Sequence, residues 1–171
     1  MNQQELLEAL GGALRIVVVG GPDSGKSTIA RAICQQYFKR PWCGRDALPL
    51  TLYATDDLRT THDWSETSAT CAEWLSRDGG WVIEGVATAR GLRKWLAANP
   101  EAELNAVIVL TGQALVEQTP QQCAMGKGVA TVWNGIALEV LKRGARVLKY
   151  DGPTPEQVRE AGEAAQAPAA Q

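Results

Sequence analysis

Short, uninterrupted apolar runs recur along the chain, and the stretches between them carry apolar residues every three or four positions. Uninterrupted runs are typical of strands that are buried on both faces of a parallel sheet. Five such runs, at residues 14–19, 50–54, 81–83, 107–110 and 145–148, therefore predict five strands.

The stretches between these runs have helical spacing, and glycine or proline marks where several of them end. Gly79-Gly80, Pro100 and Gly144 follow the second, third and last helical stretches. A short helical turn is also predicted at residues 5–10, against the edge of the sheet. The alternation of strands and helices predicts an α/β fold, a three-layer α/β/α sandwich around a five-stranded parallel sheet.

The 171 residues contain no internal repeat and no linker, so we expect a single domain over residues 1–164. Thr154-Pro155 predicts the start of a last short helix. The small and polar residues 165–171 beyond it predict a disordered tail.

Charge and cysteine content argue against several kinds of function. The chain has 17 Lys and Arg against 19 Asp and Glu, which argues against a long nucleic-acid ligand because phosphate neutralisation needs a basic face. Four cysteines without a Cys-x-x-Cys pair, and a single histidine, argue against a zinc site. No apolar run approaches the roughly 20 residues of a membrane span. The first residues lack the features of a secretory signal, so we expect a cytoplasmic protein.

A phosphate-binding motif follows the first predicted strand. Residues 20–27, GGPDSGKS, match G-x-x-x-x-G-K-[ST] and open a helix, which is the context that this motif requires. Backbone N–H groups of such a turn face an anion, its lysine reaches the β- and γ-phosphates, and its serine binds Mg²⁺. The alternative is a glycine-rich turn without a ligand.

We therefore expect the motif to bind a nucleoside triphosphate together with Mg²⁺. ATP is favoured over GTP because no guanine-reading N/T-K-x-D motif is found. Lys26 is also a candidate catalytic residue, and Ser27 is a candidate metal ligand. The candidate nucleotide contacts are Gly20, Gly21, Pro22, Asp23, Ser24, Gly25, Lys26, Ser27 and Thr28.

Acidic residues follow the second and third predicted strands. Because the carboxyl ends of parallel strands line the ligand crevice, we expect Asp56, Asp57 and Glu84 to face the motif. A carboxylate there can accept the proton of a substrate hydroxyl that attacks the γ-phosphate. The alternative for the two aspartates is a solvated turn. Glu84 suits a contact to Mg²⁺, and Arg90 suits either a clamp on phosphate charge or the wet face of a helix.

Together these motifs resemble the kinase group of P-loop proteins with adenylate-kinase-like folds, which includes adenylylsulfate kinase, zeta toxin and chloramphenicol phosphotransferase. Residues 56–59, DDLR, look like the D-x-[FLV]-R element of that group. The resemblance implies a P-loop NTPase fold, with Asp56 as the catalytic base and Arg59 as a substrate contact. Asp57 is a candidate substrate contact beside them.

Two further positions follow from the same resemblance. Glu84-Gly85 with Arg90 is similar to the D-G-F-P-R stretch of nucleotide kinases, with Glu in place of Asp and two extra residues before the arginine. This similarity implies that Arg90 stabilises charge during transfer. Nucleotide kinases place an adenine-holding loop after the fifth strand, which makes Tyr150 a candidate neighbour of the adenine ring.

The segment after the fourth strand departs from that group. Nucleotide kinases close an arginine-rich lid over the phosphates here, whereas residues 111–128 contain Lys127 as their only basic residue. Lys127 lies between two glycines and suits a mobile lid lysine that contacts substrate, with a solvated loop as the alternative. Two other loops carry aromatic and basic side chains for an acceptor pocket, namely Trp42, Arg45, Arg59, His62 and Trp64.

The leading functional prediction is an ATP- and Mg²⁺-dependent phosphotransferase. It would move the γ-phosphate to a hydroxyl group of a small molecule, nucleoside or nucleotide. The main alternative is an ATP-binding module or partner-coupled ATPase, which would use Glu84 to position water and would need no acceptor. A polynucleotide end kinase is a third option, against which the low basic content counts.

Overall fold

A computed structural model describes residues 1–39, 50–112 and 114–152 of the chain. The strands are β1 (Arg15–Val19), β2 (Thr51–Ala54), β3 (Trp81–Glu84), β4 (Ala106–Leu110) and β5 (Arg146–Tyr150). They form one sheet in the order β2-β3-β1-β4-β5, and every neighbouring pair is parallel. The predicted α/β class and the five-stranded parallel sheet are therefore confirmed.

Helices connect the strands. They are α1 (Gln3–Leu10), α2 (Lys26–Lys39), α3 (Trp64–Leu75), α4 (Thr88–Ala98) and α5 (Pro120–Lys142), and a 3₁₀ helix (Thr55–Thr60) follows β2. Side chains fix several of the helix starts. The Asp63 carboxylate accepts hydrogen bonds from the first turn of α3, and the Asp63 N–H donates to the Glu66 carboxylate.

The sheet is covered on both faces, which explains why its three central strands, β1, β3 and β4, are buried almost along their whole length, whereas the edge strands β2 and β5 are partly exposed. Ile16 and Val18 of β1 belong to a core shared with α1 and α2. Val17 and Val19, which point the other way, belong to a core shared with α3, α4 and α5. Each face therefore carries its own set of helices, and β1 is buried between them.

The order of the strands defines a crevice above β1. From β1 the chain crosses to β2 at one edge of the sheet, whereas from β4 it continues to β5 at the other edge. Adjacent strands whose connections run in opposite directions leave a crevice at their carboxyl ends, where ligands of open α/β sheets bind. Residues 20–27 begin at this point.

The structure corrects the prediction for residues 111–128. Helix α5 begins at Pro120 and runs without a break through Gly126, Lys127 and Gly128. The loop assignment is therefore wrong from residue 120 onward. Thr119 caps the helix, because its side chain accepts a hydrogen bond from the Gln122 backbone and its own N–H donates to Gln122 Oε1.

Several predictions lie outside the described residues. These are the last short helix from Thr154, the tail at 165–171, and the pocket candidates Trp42 and Arg45. Among the described helices, none combines the length and the apolar character that crossing a membrane requires.

Candidate functional site

The glycine-rich turn, residues 20–27, connects β1 to α2. Asp23 and Gly25 have left-handed backbone angles, with φ of 53° and 85°. Gly20 admits no side chain, because a Cβ there would lie 2.6 Å from the Ser24 hydroxyl. That hydroxyl donates to the Gly21 carbonyl oxygen at 2.8 Å. The backbone folds back on itself, a shape that presents successive N–H groups to an anion.

Lys26, the first residue of α2, lies beneath this turn. Its side chain is buried, and its ammonium donates to the Gly21 carbonyl oxygen at 2.6 Å. Burial lowers the pKa of Lys26, while the nearby carboxylates of Asp56, Glu84 and Asp23 act in the opposite direction. The charges of three acids on separate segments therefore act on one lysine, although none of them forms an ion pair with it among the described residues.

Ser27 and Glu84 form a pair beside Lys26. The Ser27 hydroxyl donates to Glu84 Oε1 at 2.9 Å, because β3 lies next to β1 and ends at the level of the turn. Glu84 is 2% exposed, and its Oε2 has no hydrogen-bond partner among the described residues. Burial raises the pKa of Glu84, and the charge of Asp56 adds to this effect, while the Ser27 bond lowers the pKa.

These two side chains fit a Mg²⁺ site that is completed by a ligand. Mg²⁺ is usually held by one or two protein oxygens, water and substrate phosphates rather than by an all-protein cage. A hydroxyl and an unpartnered carboxylate oxygen, Glu84 Oε2, are available here. Consistently, the described residues include no group of three His, Cys, Asp or Glu that would bind a metal ion alone.

Asp56 is held at the same site by the backbone that follows β3. Its Oδ1 accepts a hydrogen bond from the Val86 N–H at 3.0 Å. This close approach needs glycine at position 85, where φ is 120° and a Cβ would lie 2.1 Å from Thr55 Oγ1 and 2.9 Å from Asp56 Oδ1. Asp56 is exposed at the level of the whole residue.

The structure distinguishes Asp56 from Asp57. Both lie in the 3₁₀ helix, yet only Asp56 contributes to the pKa shifts of Lys26 and Glu84. Asp57 is exposed, and its carboxylate makes no hydrogen bond or ion pair within the described part of the chain. Asp56 is therefore the stronger candidate of the two, and the prediction that Asp57 faces the glycine-rich turn stays a prediction.

A cavity of about 240 Å³ opens beside Val86, between the starts of α3 and α4 and one face of α5. Trp64 and Arg90 line it, and the Arg90 guanidinium carbon lies 5.4 Å from the centre of the Trp64 ring. The Arg59 guanidinium carbon lies 3.7 Å from the same centre. Arg90 lines the cavity, whereas Arg59 contacts the Trp64 ring without being a lining residue. His62 lies nearby in sequence but is not among its lining residues.

The start of α5 packs on the glycine-rich turn, which sequence reasoning missed. Gln118 Nε2 donates to the Pro22 carbonyl oxygen at 2.7 Å, and Gln122 Nε2 donates to Asp23 Oδ2 at 2.8 Å. Gly126 lies against Gly21, where a Cβ on Gly21 would be 3.3 Å from the Gly126 Cα. The T-x-x-Q pattern at 119–122 was a readable signal for the helix start. Nothing in the sequence indicated what that helix touches.

Three predicted residues have other surroundings than expected. The Tyr150 ring is 1% exposed and packs in the core with α1 and α2, which does not match a surface that contacts adenine. Lys127 is exposed on α5 rather than in a loop. Thr28 lies in the first turn of α2, and its side chain makes no hydrogen bond within the described residues.

The chain was compared with protein-family models, with curated proteins and with solved structures, and none of the three comparisons gives a match. Function must therefore be inferred from the residues of the site themselves.

Proposed function

We propose that the chain is an ATP- and Mg²⁺-dependent phosphotransferase with a P-loop NTPase fold, acting in the cytoplasm on a hydroxyl group of a small molecule. One observation carries this proposal. Asp56 is fixed by the Val86 N–H beside both the buried Lys26 and the Ser27–Glu84 pair. A base, a phosphate-binding lysine and a metal-binding pair at the end of one glycine-rich turn are the parts that phosphoryl transfer needs.

The position of each residue at the glycine-rich turn assigns its role in binding ATP and Mg²⁺. Backbone N–H groups of residues 20–27 and the Lys26 ammonium hold the β- and γ-phosphates of ATP. The Ser27 hydroxyl and the Glu84 carboxylate hold Mg²⁺, which when bound neutralises charge on the phosphate oxygens. The charges of three carboxylates already act on the Lys26 ammonium. A bound triphosphate would replace its bond to the Gly21 carbonyl oxygen.

The transfer step uses Asp56 as the base. Asp56 accepts the proton of the acceptor hydroxyl while that oxygen forms a bond to the γ-phosphorus. The bond from the γ-phosphorus to the β,γ-bridging oxygen breaks, and ADP leaves with the negative charge. The cavity beside Val86 gives the acceptor a place next to this carboxylate.

A partner-coupled ATPase is the second candidate, and Glu84 is the observation that favours it. Its unpartnered Oε2 could orient an attacking water molecule in place of an acceptor hydroxyl. Glu84 is, however, deeply buried and bonded to Ser27, whereas Asp56 is exposed beside a cavity. This difference favours the phosphotransferase.

Substitution D56N tests the proposal. The variant is expected to transfer phosphate to an acceptor about 10²- to 10⁴-fold more slowly, because an amide cannot accept the proton, and to bind ATP as the wild type does. The measurement is transfer of labelled γ-phosphate to a panel of nucleosides, nucleotides, sugars, antibiotics and nucleic-acid ends, with ATP binding measured separately. D78N is the matched control, since Asp78 is an exposed acid just before β3, at the opposite end of that strand.

Two outcomes would contradict the phosphotransferase. Wild-type transfer by D56N would remove Asp56 as the base. Partner-stimulated ATP hydrolysis that survives in D56N without any transfer would favour the ATPase. Substitution K26A is expected to abolish activity under either function, so it tests the nucleotide site alone.

A further inference from the structure

Asp23 places an acid in the middle of the glycine-rich turn. Its backbone is left-handed, with φ of 53°, a conformation that aspartate and asparagine adopt more readily than most residues. A turn that presents N–H groups to an anion also attracts a carboxylate of its own. Under the proposed function, an Asp23 side chain that faced those N–H groups would compete with the phosphates of ATP.

The segment that leads into α5 contacts the carbonyl side of this turn. The Leu115 N–H donates to the Asp23 carbonyl oxygen at 2.9 Å, and Gln118 Nε2 donates to the Pro22 carbonyl oxygen at 2.7 Å. In a trans peptide the carbonyl and the N–H point in opposite directions, and the described residues contain no cis peptide bond. The N–H groups of Asp23 and Ser24 therefore point away from this segment.

The Asp23 side chain lies on the carbonyl side as well. Gln122 Nε2 donates to Asp23 Oδ2 at 2.8 Å, although the two residues are 99 positions apart. A hydrogen bond to an ionised acceptor is one of the stronger kinds. Asp23 forms no ion pair with Lys26 within residues 1–39, 50–112 and 114–152. The carboxylate therefore lies beside α5 and leaves the Lys26 ammonium free of an acidic partner.

A second contact fixes which end of the Gln122 amide faces Asp23. Gln122 Oε1 accepts hydrogen bonds from the Thr119 N–H at 2.8 Å and from the Thr119 hydroxyl at 2.9 Å, as part of the cap of α5. Its Nε2 is the end that remains for Asp23, whose ionised carboxylate only accepts hydrogen bonds. One side chain thus connects the start of α5 to the glycine-rich turn.

We propose that Gln122 is a positioning residue of the nucleotide site. Its amide holds the Asp23 carboxylate on the carbonyl side of the turn and so leaves the N–H groups and Lys26 to the phosphates. Gln122 acts through Asp23 and does not itself touch the nucleotide. This role rests on the proposed function only in taking the phosphates of ATP as the ligand of the turn, and it does not depend on the acceptor or on Asp56.

Substitution Q122E separates the bond to Asp23 from the cap of α5. Glutamate keeps an oxygen for Thr119 and suits this cap position as well as glutamine does, but it cannot donate to Asp23 and adds a second negative charge beside it. Calorimetry measures the binding of MgATP, and of inorganic triphosphate with Mg²⁺, to the full chain. Q122E is expected to bind both probes about tenfold more weakly than the wild type.

Exchanging the two side-chain groups is the sharper test. D23N removes the charge and keeps a residue type that tolerates the left-handed conformation, so D23N alone is expected to bind MgATP at least as tightly as the wild type. In D23N/Q122E the hydrogen bond is expected to form again with donor and acceptor reversed. MgATP binding should then return to within about threefold of the wild type. A general loss of packing at α5 would not be repaired in this way.

Q121E is the matched control. Gln121 precedes Gln122 on α5, is exposed, and makes no hydrogen bond to the glycine-rich turn within the described part of the chain. The substitution adds the same charge to the start of the helix and is expected to keep MgATP binding within about twofold of the wild type. Because Gln121 lines the cavity beside Val86, this comparison concerns nucleotide binding alone.

Several results would overturn this role: wild-type binding of MgATP by Q122E, an equal loss in Q121E, binding by D23N/Q122E as weak as that of Q122E, or a loss for ATP without one for triphosphate. Absence of MgATP binding by the wild type would overturn the role and the proposed function together.

Other combinations separate the two. If D56N kept transfer while MgATP binding was lost in Q122E and regained in D23N/Q122E, the phosphotransferase would fail and the role of Gln122 would stand. If D56N lost transfer while Q122E bound MgATP as the wild type does, the role of Gln122 alone would fail.

Discussion

Glu84 and Lys26 show what burial does to charged groups at the glycine-rich turn. Burial raises the pKa of the acid and lowers the pKa of the base, so desolvation disfavours the ionised form of both. A ligand that supplies a cation beside Glu84 and anionic oxygens beside Lys26 would stabilise the ionised form of each group. The two shifts therefore fit a site that is completed by Mg²⁺ and phosphate.

Substitution E84Q is predicted to stabilise the ligand-free protein at neutral pH. Because the folded-state pKa of Glu84 is raised above its ordinary value of 4.5, its favourable contribution is complete below that pH and is lost as the pH rises through the folded pKa. Glutamine stays neutral and keeps an oxygen for Ser27. The free energy of unfolding, measured in urea from pH 4 to pH 8, should exceed that of the wild type increasingly toward pH 8.

The exposed Glu101 provides the control, since E101Q removes the same charge far from the turn. A gain for E84Q that is constant over the whole pH range would contradict the account. So would an equal pH dependence in E101Q.

Single residues show where prediction from the sequence ends. Motif spacing placed Asp56 and Asp57 together at the end of β2, and only the resemblance to the D-x-[FLV]-R element separated them, with Asp56 as the implied base. In the structure, Asp56 differs from Asp57 because it accepts a hydrogen bond from the Val86 N–H. Gly85 allows this bond because it lets the segment after β3 approach the segment after β2. Such a contact joins residues 30 positions apart and has no local signature.

Helices α3 and α4 pack closely because Gly91 has no side chain. A Cβ at this position would lie 2.4 Å from the Cys71 sulfur and 2.6 Å from its Cβ. The contact sets the distance between the two helices that carry Trp64 and Arg90, so it also sets the width of the cavity mouth.

Substitution G91A is predicted to destabilise the protein by about 1–3 kcal/mol, the usual result of overpacking a full core. G135A, on α5, is the matched control. A Cβ at Gly135 has no neighbour within 4 Å, and replacing glycine by alanine within a helix adds roughly 0.5–1 kcal/mol of stability. Unfolding in denaturant measures both changes, and similar values for the two variants would contradict the packing account.

Helices and strands whose sequence signals are local were predicted well, and those that depend on tertiary contacts were predicted less well. Apolar runs located all five strands. Burial on both faces leaves that pattern in the central strands β1, β3 and β4, and shorter apolar stretches marked the partly exposed edge strands β2 and β5. The first part of α5 was missed because Gly126-Lys127-Gly128 looks like a loop. Gly126 is there for a tertiary reason, since it lies against Gly21.

Across the whole molecule, the candidate site draws on segments that are far apart in sequence. Residues 20–27, the 3₁₀ helix, the end of β3 and the start of α5 meet at the carboxyl end of the sheet. A ligand that contacts all of them holds the folded chain together, so its binding should appear in global stability.

Under the proposed function, Mg²⁺ and ATP are predicted to raise the thermal midpoint of the wild type. A ligand at 100 times its Kd adds about 2.7 kcal/mol, which corresponds to about 5–10 °C for a chain of this length. Differential scanning fluorimetry measures the shift, with ATP plus a chelator as the metal-free comparison. K26A should show a much smaller rise, and an unchanged rise in K26A would place the nucleotide elsewhere.

The hydrogen bonds from Gln118 and Gln122 make the shape of the glycine-rich turn depend on helix α5, which starts about a hundred residues downstream. Helix α5 spans roughly 35 Å at 1.5 Å per residue, and its distant end exposes Leu138 and Leu141. A tilt of α5 would therefore shift Pro22 and Asp23, which accept these hydrogen bonds. By thermodynamic reciprocity, a ligand that binds the glycine-rich turn also restrains α5. Under the proposed function, changes at the distant end of α5 would therefore alter nucleotide affinity.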